Sequence, residues 1–298
     1  MRDLEDYLAV KREVVDRTLD KWLPTADAPP ATLHEAMRYS LFAGGKRLRP
    51  IFCLAAAEAV GGEEAEALPA ACALECIHTY SLIHDDLPAM DDGAVRRGRP
   101  ASHMVFGEAM AILAGDALLT YAFKLLSDPV LYGGPVEPAV LMDVVRTVAE
   151  AAGASGMVGG QVADLEAEGR EIDEAGLTAI HTNKTAALIR ASTVTGALLG
   201  GGNPEAVEAL GRYGLSVGLA FQIVDDILDV VGDETTLGKA TGGDETHAKA
   251  TYPSLHGLEA SRAEADRLVE DACGVLEPIG DGGELLVELA LFVVARRR

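Results

Sequence analysis

The chain has 298 residues, of which 49% are hydrophobic and only 5% aromatic, with 25 Lys and Arg against 47 Asp and Glu for a formal charge of −22. Such acidity excludes phosphate-backbone binding by bulk electrostatics, so nucleic acid is set aside and any anionic ligand must be held by a few local Lys and Arg residues. The length, and the abundance of Ala, Leu, Val, Glu and Asp, favour a large helical core over a β-rich fold.

The opening segment, "MRDLEDYLAVKREVVDRTLDKW", alternates charges and apolar residues at helical spacing and lacks the uninterrupted apolar run of a signal peptide. Apolar residues recurring every three or four positions predict helices over 4–22, 32–60, 66–87, 105–126, 138–160, 175–199, 205–231 and 258–275, with another near the C-terminus. Gly- and Pro-rich breaks fall at 24–30, 60–64, 128–138, 199–204 and 277–283, none long enough for an interdomain linker. No strand pattern or repeat stands out. The expectation is an all-α fold, one domain over residues 1–298.

Two stretches, "LECIHTYSLI" and "VGLAFQIV", are apolar or small around most of their circumference, as central helices are. They would surround either a greasy cavity with a charged mouth or an ordinary filled core. The apolar region 104–123 is interrupted by Glu108 and Asp116, too polar to span a bilayer comfortably, so a soluble, cytoplasmic protein is expected. Cys72 and Cys76 lie one helical turn apart near His78, but no second Cys/His pair completes a metal site. With Cys53 and Cys273 they read as structural thiols of a reduced compartment.

The segment "YSLIHDDLPAMDD", Tyr80 to Asp92, crowds four aspartates around a proline. On one ideal helix Asp85 and Asp91 would sit roughly 240° apart. Pro88 removes a backbone donor and clashes with the preceding turn, so the helix should end or distort after His84 and let Asp91 fold back toward Asp85. Downstream, "FQIVDDILD" places Asp225 and Asp229 on one helix face, roughly 40° and about 6 Å apart, with Asp226 bordering it. Oxygen-only clusters of this kind suit Mg²⁺ or Ca²⁺, although the spacing of an EF-hand loop is absent. A solvated acidic loop is the alternative for the first cluster taken alone.

Two basic clusters stand out in so acidic a chain: "GGKRLRP", with Lys46, Arg47 and Arg49, and "RRGRP", with Arg96, Arg97 and Arg99. Arg forks and Lys point charges suit phosphate oxygens, and Lys184 and Lys239 are further single candidates. Acidic and basic clusters around an apolar interior point to a ligand with diphosphate at one end and hydrocarbon at the other.

In these residues the chain resembles the short-chain trans-isoprenyl diphosphate synthases, of the bacterial farnesyl diphosphate synthase type. "DDLPAMD" matches the first aspartate-rich motif and "FQIVDDILD" the second, while "GGKRLRP", "IHTYSLIHDD", "RRGRP", "GGQVADL", "HTNKTAALI" and "LGKATGGDE" follow in the family's order. The resemblance runs from about residue 30 to the C-terminus. It implies a bundle of about ten core helices around a deep cavity, usually a homodimer, joining isopentenyl diphosphate head to tail to dimethylallyl or geranyl diphosphate. It implies Mg²⁺, three ions per site with Mn²⁺ as a substitute, bound by Asp85, Asp86 and Asp91 from one wall and Asp225 from the other, with Asp226 and Asp229 in support. Arg96, Lys184 and Lys239 would hold the allylic diphosphate, and Thr185 and Gln222 would line the site near the developing cation. Gly45, Lys46, Arg49, His78 and Arg97 would hold isopentenyl diphosphate. Where bacterial relatives often carry an unbroken acidic run, this chain reads "DDGAVRRG", with Gly93 and Ala94.

Tyr80 and Ser81, five and four residues before Asp85, lie roughly 6–7.5 Å deeper on a helix. In the family an aromatic there accompanies a farnesyl (C15) product and small residues longer ones. A C15 product is expected, with a geranylgeranyl (C20) product as the alternative; Tyr80 serving only as core packing stays open. A class I terpene cyclase is disfavoured because the residues matching an isopentenyl site are present, and a non-catalytic subunit because both aspartate motifs survive.

Overall fold

The computed structural model describes residues 4–231 and 250–295, so Lys239 lies outside the described residues. The fold is all-α, as the periodicity predicts. In chain order the helices are α1 (Leu4–Trp22), α2 (Ala31–Leu41), α3 (Leu48–Ala59), α4 (Glu64–Asp85), α5 (Ser102–Phe106), α6 (Glu108–Ser127), α7 (Pro138–Ala152), α8 (Met157–Ala167) and α9 (Glu174–His181). A π-helical turn at Thr182–Ala186 leads into α10 (Ala187–Leu199), then α11 (Pro204–Val231), α12 (Tyr252–His256), α13 (Leu258–Gly274) and α14 (Glu284–Ala295).

Three features depart from the periodicity. The segment 32–60 divides in two because Gly44, Gly45 and Arg47 take φ of 97°, 122° and 53°, a left-handed excursion no helix accommodates. The segment 138–160 breaks between α7 and α8. Residues 95–100 form a short antiparallel hairpin, β1 (Val95–Arg96) with β2 (Arg99–Pro100), invisible to a search for alternation because each strand has two residues. Its turn, Arg97-Gly98, has φ of 52° and 73°, the paired positive values of a tight hairpin turn.

The described chain groups into two compact units, 1–51 with 68–135 and 52–67 with 136–298. In the first, α6 packs on α2 and α5 and buries Ala111, Ala114, Gly115, Leu118, Ala122, Leu125 and Leu126. By length and composition α6 could also cross a membrane, a test that core helices of this kind pass as well. From Ala70 to Ile77, α4 is buried on every side, which matches its apolar circumference. Cys53, Cys72, Cys76 and Cys273 are free thiols, the first three buried.

In the second unit, α11 packs on α10, α13 and α14. Small residues set the approach: a β-carbon on Gly218 would lie 2.5 Å from the Ala186 Cα, and one on Gly196 would lie 2.0 Å from the Cys53 carbonyl oxygen. Tyr213 sits wholly buried on α11, edge-on to Phe52 with centroids 6.3 Å apart. Its hydroxyl donates to the Leu286 carbonyl at 2.7 Å, tying α11 to α14. Burial raises the phenol well above its usual value, so it stays a donor. Tyr213→Phe removes this buried hydrogen bond between the two helices and is expected to cost about 1–2 kcal/mol of stability, read as a lowered urea midpoint at unchanged m-value.

Candidate active site

In the first unit the first aspartate motif begins where α4 ends, at Asp85, one residue beyond the predicted break. The chain then turns back on itself: the Asp91 N–H donates to the Asp85 carbonyl at 2.9 Å and the Asp92 N–H to the Leu87 carbonyl at 3.1 Å. A proline at position 88 contributes no N–H, so the helical ladder is replaced by this wider loop. Asp85 and Asp91 are thereby neighbours, both half-buried at the end of the helix.

Asp86 goes the other way. It is 2% exposed, and both Nε and Nη2 of Arg96 donate to its carboxylate, Nε at 3.0 Å to one oxygen and 3.2 Å to the other. Burial pushes its carboxyl upward while the Arg96 guanidinium opposes the shift. The hairpin makes the fork possible by delivering Arg96 from β1. Gly93 matters too, since a β-carbon there would lie 2.7 Å from the Asp86 Oδ1. The departure "DDGAV" therefore has a packing reason: a side chain at 93 would collide with the buried carboxylate.

Beside this motif lies a cluster of guanidinium groups. The Arg97 Nη1 donates to the Gly44 carbonyl at 2.6 Å, and its Cζ would stand 2.7 Å from a β-carbon on Gly45. Gly45 thus lets the Arg97 plane rest against bare backbone, at a φ that itself requires glycine. Lys46 is exposed and Arg49 half-buried. The imidazole of His78 is held well below its usual value, first by burial and then by the charges of Arg49, Arg97, Arg47 and Arg96. A neutral histidine ringed by positive charge marks a site suited to an anion.

Arg47 corrects its grouping with the phosphate-suited bases. It is 2% exposed, and its Nε donates to Asp16 at 2.7 Å, Nη1 to Glu75 at 2.6 Å and Nη2 to the Leu41 carbonyl at 2.6 Å. Its guanidinium is spent within the fold. Tyr80 is 6% exposed and meets His84 edge-on, with centroids 5.7 Å apart. His84 in turn lies over Gly115 of α6, where a β-carbon would come within 2.1 Å of its Nε2. Burial, with help from Asp85, pushes the Tyr80 phenol up to about 12. The Ser81 hydroxyl turns back onto the His78 carbonyl at 2.9 Å.

In the second unit, Lys184 sits on the π-helical turn, a distortion common at functional sites. Its Nζ lies 2.7 Å from Asp164 of α8. Gly160 of α8 permits the approach, since a β-carbon there would stand 2.2 Å from the Lys184 nitrogen. The Thr185 hydroxyl donates to the Gln222 Oε1 at 2.7 Å, and Gln222 Nε2 donates to Asp226 at 3.0 Å. Asp226, 3% exposed, also accepts from the Tyr252 N–H at 2.8 Å and lies 3.4 Å from the His181 Nε2. His181 is lowered to about 4, chiefly by burial, and is neutral at pH 7. Asp229 is buried and Asp225 half-buried on the same helix.

The predicted residues therefore gather within each unit, Gly45 with Arg97, Asp86 with Arg96, and Thr185 with Gln222 and Asp226. Glu75, Asp164, His181 and the Tyr252 backbone are additions that spacing did not single out. A glutamate inside the otherwise apolar "LECIHTYSLI" was the available signal for Glu75.

Among the described residues no three His, Cys, Asp or Glu side chains form a ready-made metal cluster. The donors still fit Mg²⁺, a hard cation usually held by one or two carboxylates with substrate phosphate and water completing the shell. Asp85 with Asp91, and Asp225 with Asp229, supply such oxygen pairs, and Asp86 and Asp226 of the same motifs are held by Arg96 and Gln222.

The model of the family described as polyprenyl synthetase matches residues 30–277. The chain is 49% identical over 295 residues to a dimethylallyltranstransferase of Fischerella ambigua, covering 99% of this chain and 84% of that protein. It is 48% identical over 298 residues to geranylgeranyl pyrophosphate synthase 11, chloroplastic, of Arabidopsis thaliana, covering 99% and 82%. Among solved structures, a geranyltransferase from Helicobacter pylori complexed with magnesium and isoprenyl diphosphate superposes with a TM-score of 0.85 at 33% identity, over 99% of this chain and 97% of that one.

The depressed imidazole of His78 has a consequence for stability. The unfolded chain takes up a proton near pH 6.5 that the folded chain refuses, so stability falls as pH drops below about 6.5. His78→Gln removes that proton uptake, and urea unfolding is expected to show a smaller loss between about pH 7 and pH 5 for the variant than for the wild type.

Proposed function

The chain belongs to the polyprenyl synthetase family, and from that premise we propose that it joins isopentenyl diphosphate to an allylic diphosphate, dimethylallyl or geranyl, by prenyl transfer. One observation carries the reading: within a single compact unit, an oxygen-donor turn at Asp85 and Asp91 lies beside the guanidinium cluster around a neutral His78. That pairing suits a metal-bound diphosphate and an anionic co-substrate.

The roles follow from the chemistry. Asp85, Asp86 and Asp91 of the first motif and Asp225 of the second would hold Mg²⁺, with Asp226 and Asp229 in support. When bound, Mg²⁺ would neutralise the allylic diphosphate and ease its departure. Arg96 and Lys184 would bind that diphosphate, and both are already held in place by carboxylates, Asp86 and Asp164. Preorganised cations of this kind stabilise charge where it develops without reorganising at the moment of reaction. Lys46, Arg49, Arg97 and Gly45 would grip isopentenyl diphosphate, and neutral His78 can donate one N–H to it. Thr185 and Gln222, hydrogen-bonded to each other, would line the site near the developing cation. The departing diphosphate takes the proton lost on coupling. Exposed Met104, Val105, Ile112 and Leu113, and a mostly apolar groove along α6 between Pro30, Leu33, Met110 and Leu113, with Asp116 and Lys124 also lining it, support a homodimer. A cytoplasmic location is proposed from the charge-interrupted opening segment and apolar region 104–123 of the sequence.

We infer a geranylgeranyl (C20) product, which the name of the Arabidopsis relative supports at 48% identity. Geometry is compatible, because Ser81, four residues before Asp85, is small and shares its helix face. A second reading, the farnesyl (C15) product, is favoured by Tyr80, whose buried ring lies a turn below the aspartates.

Labelled isopentenyl diphosphate with each allylic primer and Mg²⁺ is expected to give C20 product, and no incorporation with any primer would reject the synthase. A C15 product would decide for the second reading. In that event Tyr80→Ala is expected to lengthen the product, whereas identical products from variant and wild type would remove Tyr80 as the floor.

A further inference from the structure

Glu75 is a buried carboxylate to which the reaction above gives no task. It lies on the all-round-buried stretch of α4 and is 1% exposed. A charge there needs partners, because removal from water is costly unless it is matched by opposite charge and hydrogen bonds. It has two, and they differ in kind. Arg47 donates to it at 2.6 Å but is also spent on Asp16 and the Leu41 carbonyl. Arg97 stands 3.6 Å away and keeps its other arm on the Gly44 carbonyl, with its plane against Gly45.

The surroundings of Arg97 explain why the second partner matters. Burial lowers its guanidinium, and the charges of Arg47 and Arg96 push the same way, while Glu75 acts against them. Left to Arg47 and Arg96 alone, a long flexible side chain at 97 would be driven toward solvent. The Gly44 carbonyl supplies a direction but no charge. Glu75 supplies the charge from below, in a dry environment where it acts strongly.

We propose that Glu75 is a positioning residue: it holds the Arg97 guanidinium against Gly45, so that the fork is oriented toward the diphosphate of the isopentenyl substrate. This rests on the prenyl-transfer reading. Glu75 touches no substrate, and its effect is carried through Arg97.

Glu75→Gln tests it with little change of shape. Arg47 and Arg97 both approach the same carboxylate oxygen, Oε1, so an amide oxygen there can still accept from Arg47 but offers Arg97 no charge. The KM for isopentenyl diphosphate is expected to rise about tenfold, with kcat and the KM for the allylic substrate changed less than about threefold. A double-mutant cycle with Arg97→Gln separates positioning from bulk structure. If Glu75 acts through Arg97, Glu75→Gln adds little in the Arg97→Gln background; an equal, additive rise there overturns the proposal. Binding of inorganic diphosphate by calorimetry gives a readout that needs no turnover and so separates this inference from the synthase reading. About tenfold weaker binding by Glu75→Gln supports positioning, and unchanged binding by a folded variant refutes it. Glu75→Asp, which retains the charge, is expected to recover part of the lost affinity even if Glu75→Gln is too unstable to assay, and failure of a folded Glu75→Asp to bind better than Arg97→Gln also counts against the proposal.

Discussion

The buried ion pair of Arg47 and Glu75 is the constraint around which the first unit is arranged. Two opposite charges at 1% side-chain exposure satisfy each other out of water, and breaking a buried pair by removing one partner typically costs about 3–5 kcal/mol, here partly offset by Asp16 and Arg97. Arg47 reaches that position only because the chain at Gly44–Arg47 leaves helical geometry, with three positive φ values in four residues. The same excursion ends α2, starts α3 and exposes the Gly44 carbonyl that receives Arg97. One buried pair thereby links α1 through Asp16, the glycine loop, the middle of α4 and the hairpin.

The acidic turn depends on that framework. Four aspartates within eight residues repel each other, and the protein relieves the repulsion in two ways. It splits the group, with Asp85 and Asp91 brought back together by a backbone hydrogen bond and Asp86 turned into the protein against Arg96. It also keeps Gly93 small beside the Asp86 carboxylate. Asp85 and Asp91 lie together as an oxygen pair suited to a hard cation. Adjacent aspartates in one motif therefore meet different partners.

The second unit uses the same device with neutral groups. Asp226 is satisfied by an amide, a backbone N–H and a nearby imidazole, and the chain continues through Gln222 to the Thr185 hydroxyl. A buried polar network of this kind is stable only when its members are satisfied together, which fixes the rotamers of all of them. The π-helical turn sets Thr185 and Lys184 at an orientation an α-helical turn would not give them, and Gly160 and Gly218 admit the neighbouring backbones.

What the sequence by itself determined was everything carried by local spacing. Helical class followed from periodicity, the end of α4 from Pro88, and the pairing of Asp225 with Asp229 from the rise and twist of one helix. The family followed from the order of its motifs. What only the tertiary structure decided was partnership across distant segments. Arg47 and Arg97 look alike in sequence, yet one is consumed by Glu75, Asp16 and a carbonyl while the other donates to the Gly44 carbonyl and stands 3.6 Å from Glu75. Asp85 and Asp86 are adjacent letters with opposite fates. The hairpin, the split of 32–60 and the role of Glu75 stayed hidden for the same reason. Each depends on a left-handed turn or a buried charge whose partner is tens of residues away, and linear spacing carries no information about which distant group neutralises which.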